Sequence, residues 1–374
     1  MQLDLEHQSI LNEAREVASQ VSSFAAEADE QSVVHKPTLD ILRASRLTEL
    51  MVPSKYGGRF EKIDPFAVCL TREALMKVSS HLDSLFALQG IGSYAITVTG
   101  DEDQKNEWLP SIANCEVLAA LALTEPEAGS DLKSITTTVH QEGETLVVNG
   151  TKSFISNGDA AGFYTTLAAE EDGYSLVLIP AETPGVTVEP SPEIIAPHVL
   201  GEIHFNNVVV PKGNRLGEAG TGFRHVLATL AVFRISVAGA AIGLMEGAIE
   251  EAVRHTRNRS QFGRPLARHG PVAALLADSW SDLESARFLT YDTANLALVD
   301  PEKNLDRSSL AKLNATEAAC RVVDRCVQAM GRWGLIRGSR IERYYRQARP
   351  MRIYEGASEV LRLGIASRLC KDVE

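Results

Sequence analysis

Residues 352–358 read RIYEGAS, and Glu355 within them is either a solvated surface charge or a base aimed at a substrate carbon. Ile353 and Tyr354 have apolar bodies and Gly356 permits close approach, so the segment suits a pocket wall. A carboxylate in a dry pocket gains proton affinity, because burial disfavours its charged form. An isolated glutamate is more often exposed, so the residues around it have to decide. A second stretch, LALTEPEAGSD from Leu121 to Asp131, runs from an apolar strand ending at Thr124 through a Pro126 turn into Ala128-Gly129-Ser130. Small residues and free backbone N–H groups suit the approach of a planar, anionic ligand. An ordinary strand-to-loop turn with an incidental hydroxyl fits the same eleven residues.

The chain of 374 residues has ample material for a large core, with 44% hydrophobic and 23% charged residues. A net charge of −12 argues against nucleic acid or an anionic membrane as the main partner, since both select a basic face. A phosphate-bearing ligand then needs specific arginines. The N-terminal MQLDLEHQSI shows no signal peptide. The apolar run ISVAGAAIGLM between Arg234 and Glu246 is short of the ~20 residues that span a bilayer. Five cysteines, with no CxxC spacing, make a metal centre or disulfide framework improbable and fit a reducing cytoplasm.

Three zones must position the candidate residues. Residues 1–118 read helical, with Ile10, Leu11, Ala14, Val17, Val21 and Phe24 at helical spacing and a loop around Pro53, Gly57 and Gly58. Residues 119–217 carry β-branched runs with a turn at Gly143, Gly150 between strand candidates, and a strand pair around Glu171-Asp172-Gly173. Five to seven short strands there suggest a small antiparallel barrel or sandwich. Residues 218–374 return to long helices. Val272, Leu275, Leu276, Ser279, Leu283, Ala286 and Leu289 form one stripe, and Val322, Val323, Cys326 and Met330 form another. Such helices pack as a bundle with their stripes inward.

LALTEPEAGSD resembles a signature of the acyl-CoA dehydrogenase family. NGTKSFISNG, RNRSQFGRPL, QAMGRWG and YYRQARPMRIYEGASEVLR resemble four further stretches of that family, in family order, across about residues 1–370. The resemblance implies a mainly α fold with a central β domain: an N-terminal helical domain, a small β-barrel or sandwich, and a C-terminal four-helix bundle. It implies FAD as cofactor, with Leu123, Thr124, Gly129, Ser130, Phe154 and Ser156 along the isoalloxazine and pyrophosphate. Ser156 takes the place of a threonine that bonds flavin N5, and Phe154 that of a tryptophan; simple core packing is the other reading of Phe154. Arg259, Phe262, Gln328, Gly331 and Ser358 fall on cofactor positions, Arg259 and Phe262 reaching a neighbouring subunit's FAD. The protein is then a homo-oligomer, dimer or tetramer. Ser130, Arg234, Gly356 and Arg362 fall on the substrate side, and Glu355 on the catalytic base.

The implied reaction is α,β-dehydrogenation of an acyl thioester, with an electron-transfer flavoprotein as acceptor. Gly270, Arg332, Gln347, Ala357 and Ala231 depart from family-typical residues, mainly at the adenosine and CoA ends. An acyl group tethered to a carrier protein in polyketide or peptide biosynthesis is therefore the alternative to acyl-CoA. A catalytically silent flavin-binding protein is the third reading, and the occupied Glu355 position speaks against it.

Overall fold

The structure is a computed structural model that describes residues 3–371; residues 1, 2 and 372–374, the ends of the expected first and third domains, lie outside the described residues. Six helices come first: α1 (Leu5–Val21), α2 (Ala25–Ala28), α3 (Lys36–Ser45), α4 (Pro65–Met76), α5 (Ser80–Thr99) and α6 (Glu102–Ala113). Eight strands follow: β1 (Ala119–Ala122), β2 (Thr138–Glu142), β3 (Thr145–Ser156), β4 (Phe163–Glu170), β5 (Gly173–Pro180), β6 (Val186–Pro190), β7 (Leu200–Pro211) and β8 (Arg215–Leu216). Next come α7 (Gly222–Asn258), a hairpin of β9 (Ser260–Gln261) and β10 (Arg264–Pro265), α8 (Gly270–Val299), α9 (Leu305–Met330), α10 (Arg340–Met351) and α11 (Ser358–Lys371).

The order of helices, strands and helices is the one the sequence texture predicts. By contact the chain groups into two compact units. One unit comprises Met1–Glu30, Pro65–Asp83 and Ala231–Glu374, and the other Gln31–Asp64 and Ser84–Leu230. Helical periodicity reports a buried face but not which partner buries it.

In the first unit the predicted stripes are buried in part. Asp4 caps α1 by accepting from the His7 N–H at 2.8 Å, and Ile10, Leu11, Ala14, Val17 and Val21 are buried. On α8, Leu283 and Ala286 are buried, whereas Val272, Leu275 and Leu276 are only half-buried. The Ser279 hydroxyl, within that stripe, donates back to the Leu275 carbonyl at 2.7 Å, so its burial leaves no orphaned group. α7 is long and apolar enough to cross a membrane, longer than the charge-bounded run alone suggests, but 83% of its apolar window is buried inside the protein.

The second unit contains one eight-stranded sheet in the order β6-β7-β3-β2-β4-β5-β8, with β1 added in parallel to β4. β2 and β3 turn at Gly143, and β4 and β5 turn at Glu171–Gly173, as predicted. Gly150 does not separate two strands; it lies within β3 at φ +148, where the register with β7 shifts. A Cβ there would come within 2.4 Å of Thr137 Oγ1, so the bulge needs glycine. Leu146, Val148, Tyr164, Ile179 and Phe205 fill the core under the sheet; each such side chain contributes about 1.5–3 kcal/mol by leaving water. Gly92 on α5 packs closely: an added Cβ would stand 2.6 Å from Ala119 Cβ.

Candidate active site

Glu355 lies in the turn between α10 and α11. Pro350 accepts from the Ile353 N–H at 2.8 Å and the Tyr354 N–H at 3.1 Å, and Ser358 N–H closes the turn onto the Arg352 carbonyl at 3.0 Å. Glu355 has φ +52 and Gly356 φ +101, so two consecutive residues are left-handed. For a non-glycine residue that costs on the order of 1–3 kcal/mol and persists only where surroundings fix it. Buried cations do so here. Arg234 on α7 donates from Nε to the Glu355 carbonyl at 3.0 Å and from Nη1 to Ser309 Oγ at 2.9 Å. Lys312 on α9 donates to the Gly356 carbonyl at 2.7 Å. Glu317, one turn further along α9, accepts from Arg352 Nε at 2.8 Å and Ser358 Oγ at 2.6 Å, tying the two ends of the turn together.

Glu355 Oε2 is buried without a hydrogen-bond partner among the described residues. Burial raises the carboxyl pKa above the usual range, against the pull of Arg72, Lys312 and Arg234, while Asp83 adds to the rise. Arg72 is itself buried and forks onto Asp83, Nε to Oδ1 at 2.9 Å and Nη2 to Oδ2 at 2.7 Å, with Nη1 donating to Ser236 Oγ at 3.0 Å. A desolvated carboxylate with an unengaged oxygen among fixed cations is suited to take a proton from a bound molecule.

The residues expected along the flavin lie in the second unit, where β1 ends beside β3. Lys152, fully buried, donates to the Leu123 carbonyl at 2.9 Å and to Glu125 Oε1 at 2.8 Å. Ser153 N–H reaches the Thr124 carbonyl at 2.9 Å, and Glu125 and Ala128 pair their backbones across the Pro126 turn. Leu123, Thr124 and Phe154 are thereby brought together. Phe154 is not core: it stands at φ +55, 49% exposed, where the register of β3 against β7 shifts between Lys152 and Ile155. Gly129 and Ser130 are exposed, and a Cβ built on Gly129 meets no atom within 4 Å. An aromatic face held outward, next to a backbone anchored to the strand end that leads into the open Gly129, fits a planar ligand with a phosphate tail.

Ser156 Oγ lies 2.9 Å from His198 Nε2, which is also 3.4 Å from Ser84 Oγ. Burial lowers the His198 pKa to about 4, so the imidazole is neutral near pH 7. Burial pushes the Glu125 carboxyl up, but Lys152 and the Thr136 and Thr137 donors outweigh it and hold its pKa at about 2. Its folded pKa is below the unfolded value, so the unfolded chain binds the extra proton first. Stability is full above about pH 4.5 and falls as pH drops toward 2. Thermal melts across that window should show a steeper acid loss for the wild type than for Glu125→Gln; parallel curves would remove this reading.

The remaining expected residues fall elsewhere in the first unit. Arg234 is a buried tie to the Glu355 backbone. Ser358 is buried and spends its hydroxyl on Glu317, and the half-exposed Arg362 lies 3.5 Å from Glu317 and 3.9 Å from Glu359. Gln328, Gly331 and Arg259 are exposed, and Phe262, at φ +50 on the tip of the β9–β10 hairpin, is 96% exposed. Sequence reading passed over Arg72, Asp83, Lys152, His198, Lys312 and Glu317. One signal was available: Lys312 interrupts the small-residue face of Ser308, Ala311, Ala315 and Ala319 on α9, and a charge on a buried face calls for a partner.

Comparison with known proteins places this architecture. Residues 4–116, 120–208 and 220–370 match, in turn, the N-terminal, middle and C-terminal domains of acyl-CoA dehydrogenase. The chain is 32% identical over 372 residues to a cyclohexane-1-carbonyl-CoA dehydrogenase of Geobacter metallireducens, covering 98% of this chain and 96% of that one. It superposes on butyryl-CoA dehydrogenase from Megasphaera elsdenii with a TM-score of 0.93 at 29% identity, covering 99% of both chains. A glutaryl-CoA dehydrogenase from Mycobacterium smegmatis in complex with FADH2 gives a TM-score of 0.91 at 25% identity, with 98% and 95% covered. Three domains matched in sequence order over nearly the whole length leave no other assignment: the chain belongs to the acyl-CoA dehydrogenase family.

Proposed function

We propose that the protein dehydrogenates an acyl-CoA thioester between Cα and Cβ, with Glu355 taking the α-proton. The observation that supports this most directly is the unpartnered, buried Oε2 of a carboxyl whose pKa burial has raised. The enzyme is an FAD-dependent oxidoreductase, and FAD when bound supplies the acceptor for the hydride from Cβ, which no side chain can replace. Leu123, Thr124, Gly129, Ser130, Phe154 and Ser156 would hold its flavin and pyrophosphate. As the α-proton leaves, negative charge grows on the thioester oxygen. The Glu355 N–H, which has no acceptor among the described residues, is available to stabilise it. Glu355 starts ionised and ends protonated, and Arg234 and Lys312 keep its backbone from moving as the charge leaves.

A homo-oligomer is part of this proposal. Trp280 and Phe288 project from α8 with 63% and 61% exposure, and Phe262 is offered outward beside Arg259. These are apolar surfaces that a second copy would cover, and Arg259 would then meet the phosphates of a neighbouring subunit's FAD. A cytoplasmic location with an electron-transfer flavoprotein as acceptor completes the proposal.

A carrier-tethered acyl group remains the second reading, because Ala231, where family members often have an acidic CoA-related residue, is fully buried and carries no charge. Gln347, by contrast, is a structural departure, its amide donating to Asp29 Oδ2 at 3.1 Å and Ser80 Oγ at 2.8 Å. Anaerobic titration of the bound flavin with matched acyl-CoA and acyl-carrier-protein substrates separates the two. Acyl-CoA is expected to bleach the flavin faster; the reverse order would transfer the proposal to the carrier-bound substrate.

A further inference from the structure

Lys312 is fully buried on α9, and among the described residues its Nζ makes one hydrogen bond, to the Gly356 carbonyl. A desolvated ammonium is costly, and a methionine would fill the same volume without that cost. The position of its partner explains the charge. Gly356 follows Glu355 in the left-handed turn, and Arg234 holds the carbonyl immediately before, so two cations from two helices grip consecutive carbonyls. We propose that Lys312 is a positioning residue for the reaction, fixing the Glu355–Gly356 backbone and lending its charge so that the desolvated Glu355 stays ionised. This deepens the assignment of Glu355 as the base and rests on it.

The groups that face the pair can be named. Around Lys312 stand Glu355, Arg234, Glu317 and Glu359. Around Glu355 stand Arg72, Lys312, Arg234, Asp83 and the Tyr354 phenol. Burial lowers the Lys312 pKa to about 8, with Glu355 opposing the drop. The ammonium is therefore charged below pH 8 and lost above it, where Glu355 forfeits a stabilising neighbour.

The test measures anaerobic flavin reduction by saturating acyl-CoA against pH in wild type, Lys312→Met, Lys312→Arg and Glu355→Gln holoenzymes. In Lys312→Met the acid limb should move up by about one pH unit and the plateau rate fall about tenfold or more. FAD content and half-saturating acyl-CoA should stay unchanged. Infrared titration of the carboxyl band that is missing in Glu355→Gln should show the same upward shift without turnover. In Lys312→Arg, whose guanidinium keeps its charge, the acid limb and the carboxyl band should stay at their wild-type positions; this comparison decides the matter if Lys312→Met does not fold. An unmoved acid limb and carboxyl band in a folded Lys312→Met, or an acid limb in Lys312→Arg that moves up as far as in Lys312→Met, overturns the proposal. Full activity in Glu355→Gln would instead overturn the base assignment, a distinct result.

Discussion

Glu355→Gln protein is expected to purify yellow and to bind acyl-CoA, yet its flavin should bleach at least ~100-fold more slowly than wild type under anaerobic single-turnover conditions. Glutamine keeps the size of the side chain and loses the ability to accept a proton from carbon. The turn does not depend on the carboxylate: Arg234 and Lys312 bind the carbonyls of residues 355 and 356, and Glu317 ties Arg352 to Ser358. A rate loss therefore reports chemistry and not collapse. In wild type the rate should fall as pH drops through the raised pKa of Glu355, because the base is then already protonated. That acid limb should be missing in the variant. Bleaching at the wild-type rate would mean that another group takes the proton.

Local chemistry in this chain was legible where a residue's role depends on its neighbours in sequence. The stripe of α1 and the Gly143 hairpin follow from local pattern. Phe154 was ambiguous because strand alternation alone cannot reveal the register shift and positive φ that turn it outward. Gly150 misled for the same reason, since a bulge and a break share a glycine. The charged groups that give Glu355 its character were hidden by distance: Arg234 and Lys312 lie 121 and 44 residues from the carbonyls they hold. His198 sits in a loop with no motif, and only the folded chain brings it to Ser156.

Asp83→Asn tests the same electrostatics from the opposite side and carries the largest expected loss of stability. Arg72 and Asp83 form a forked pair in which both side chains are about 5% exposed or less. Removing one partner of such a pair costs about 3–5 kcal/mol, because the remaining charge stays buried without compensation. For a chain of this size the melting temperature should fall by roughly 4–6 °C. Replacing both residues, Arg72→Met with Asp83→Leu, should recover much of that loss, as no buried charge is left. The effect on the base has its own sign. Asp83 raises the Glu355 pKa and Arg72 lowers it, so Asp83→Asn leaves the arginine unopposed and should move the acid limb of flavin reduction to lower pH. Lys312→Met removes a cation and should move the same limb upward. Two substitutions that shift one ionisation in opposite directions identify charge as the cause. Loosened packing would move both limbs the same way, and that result would exclude the electrostatic account of Glu355.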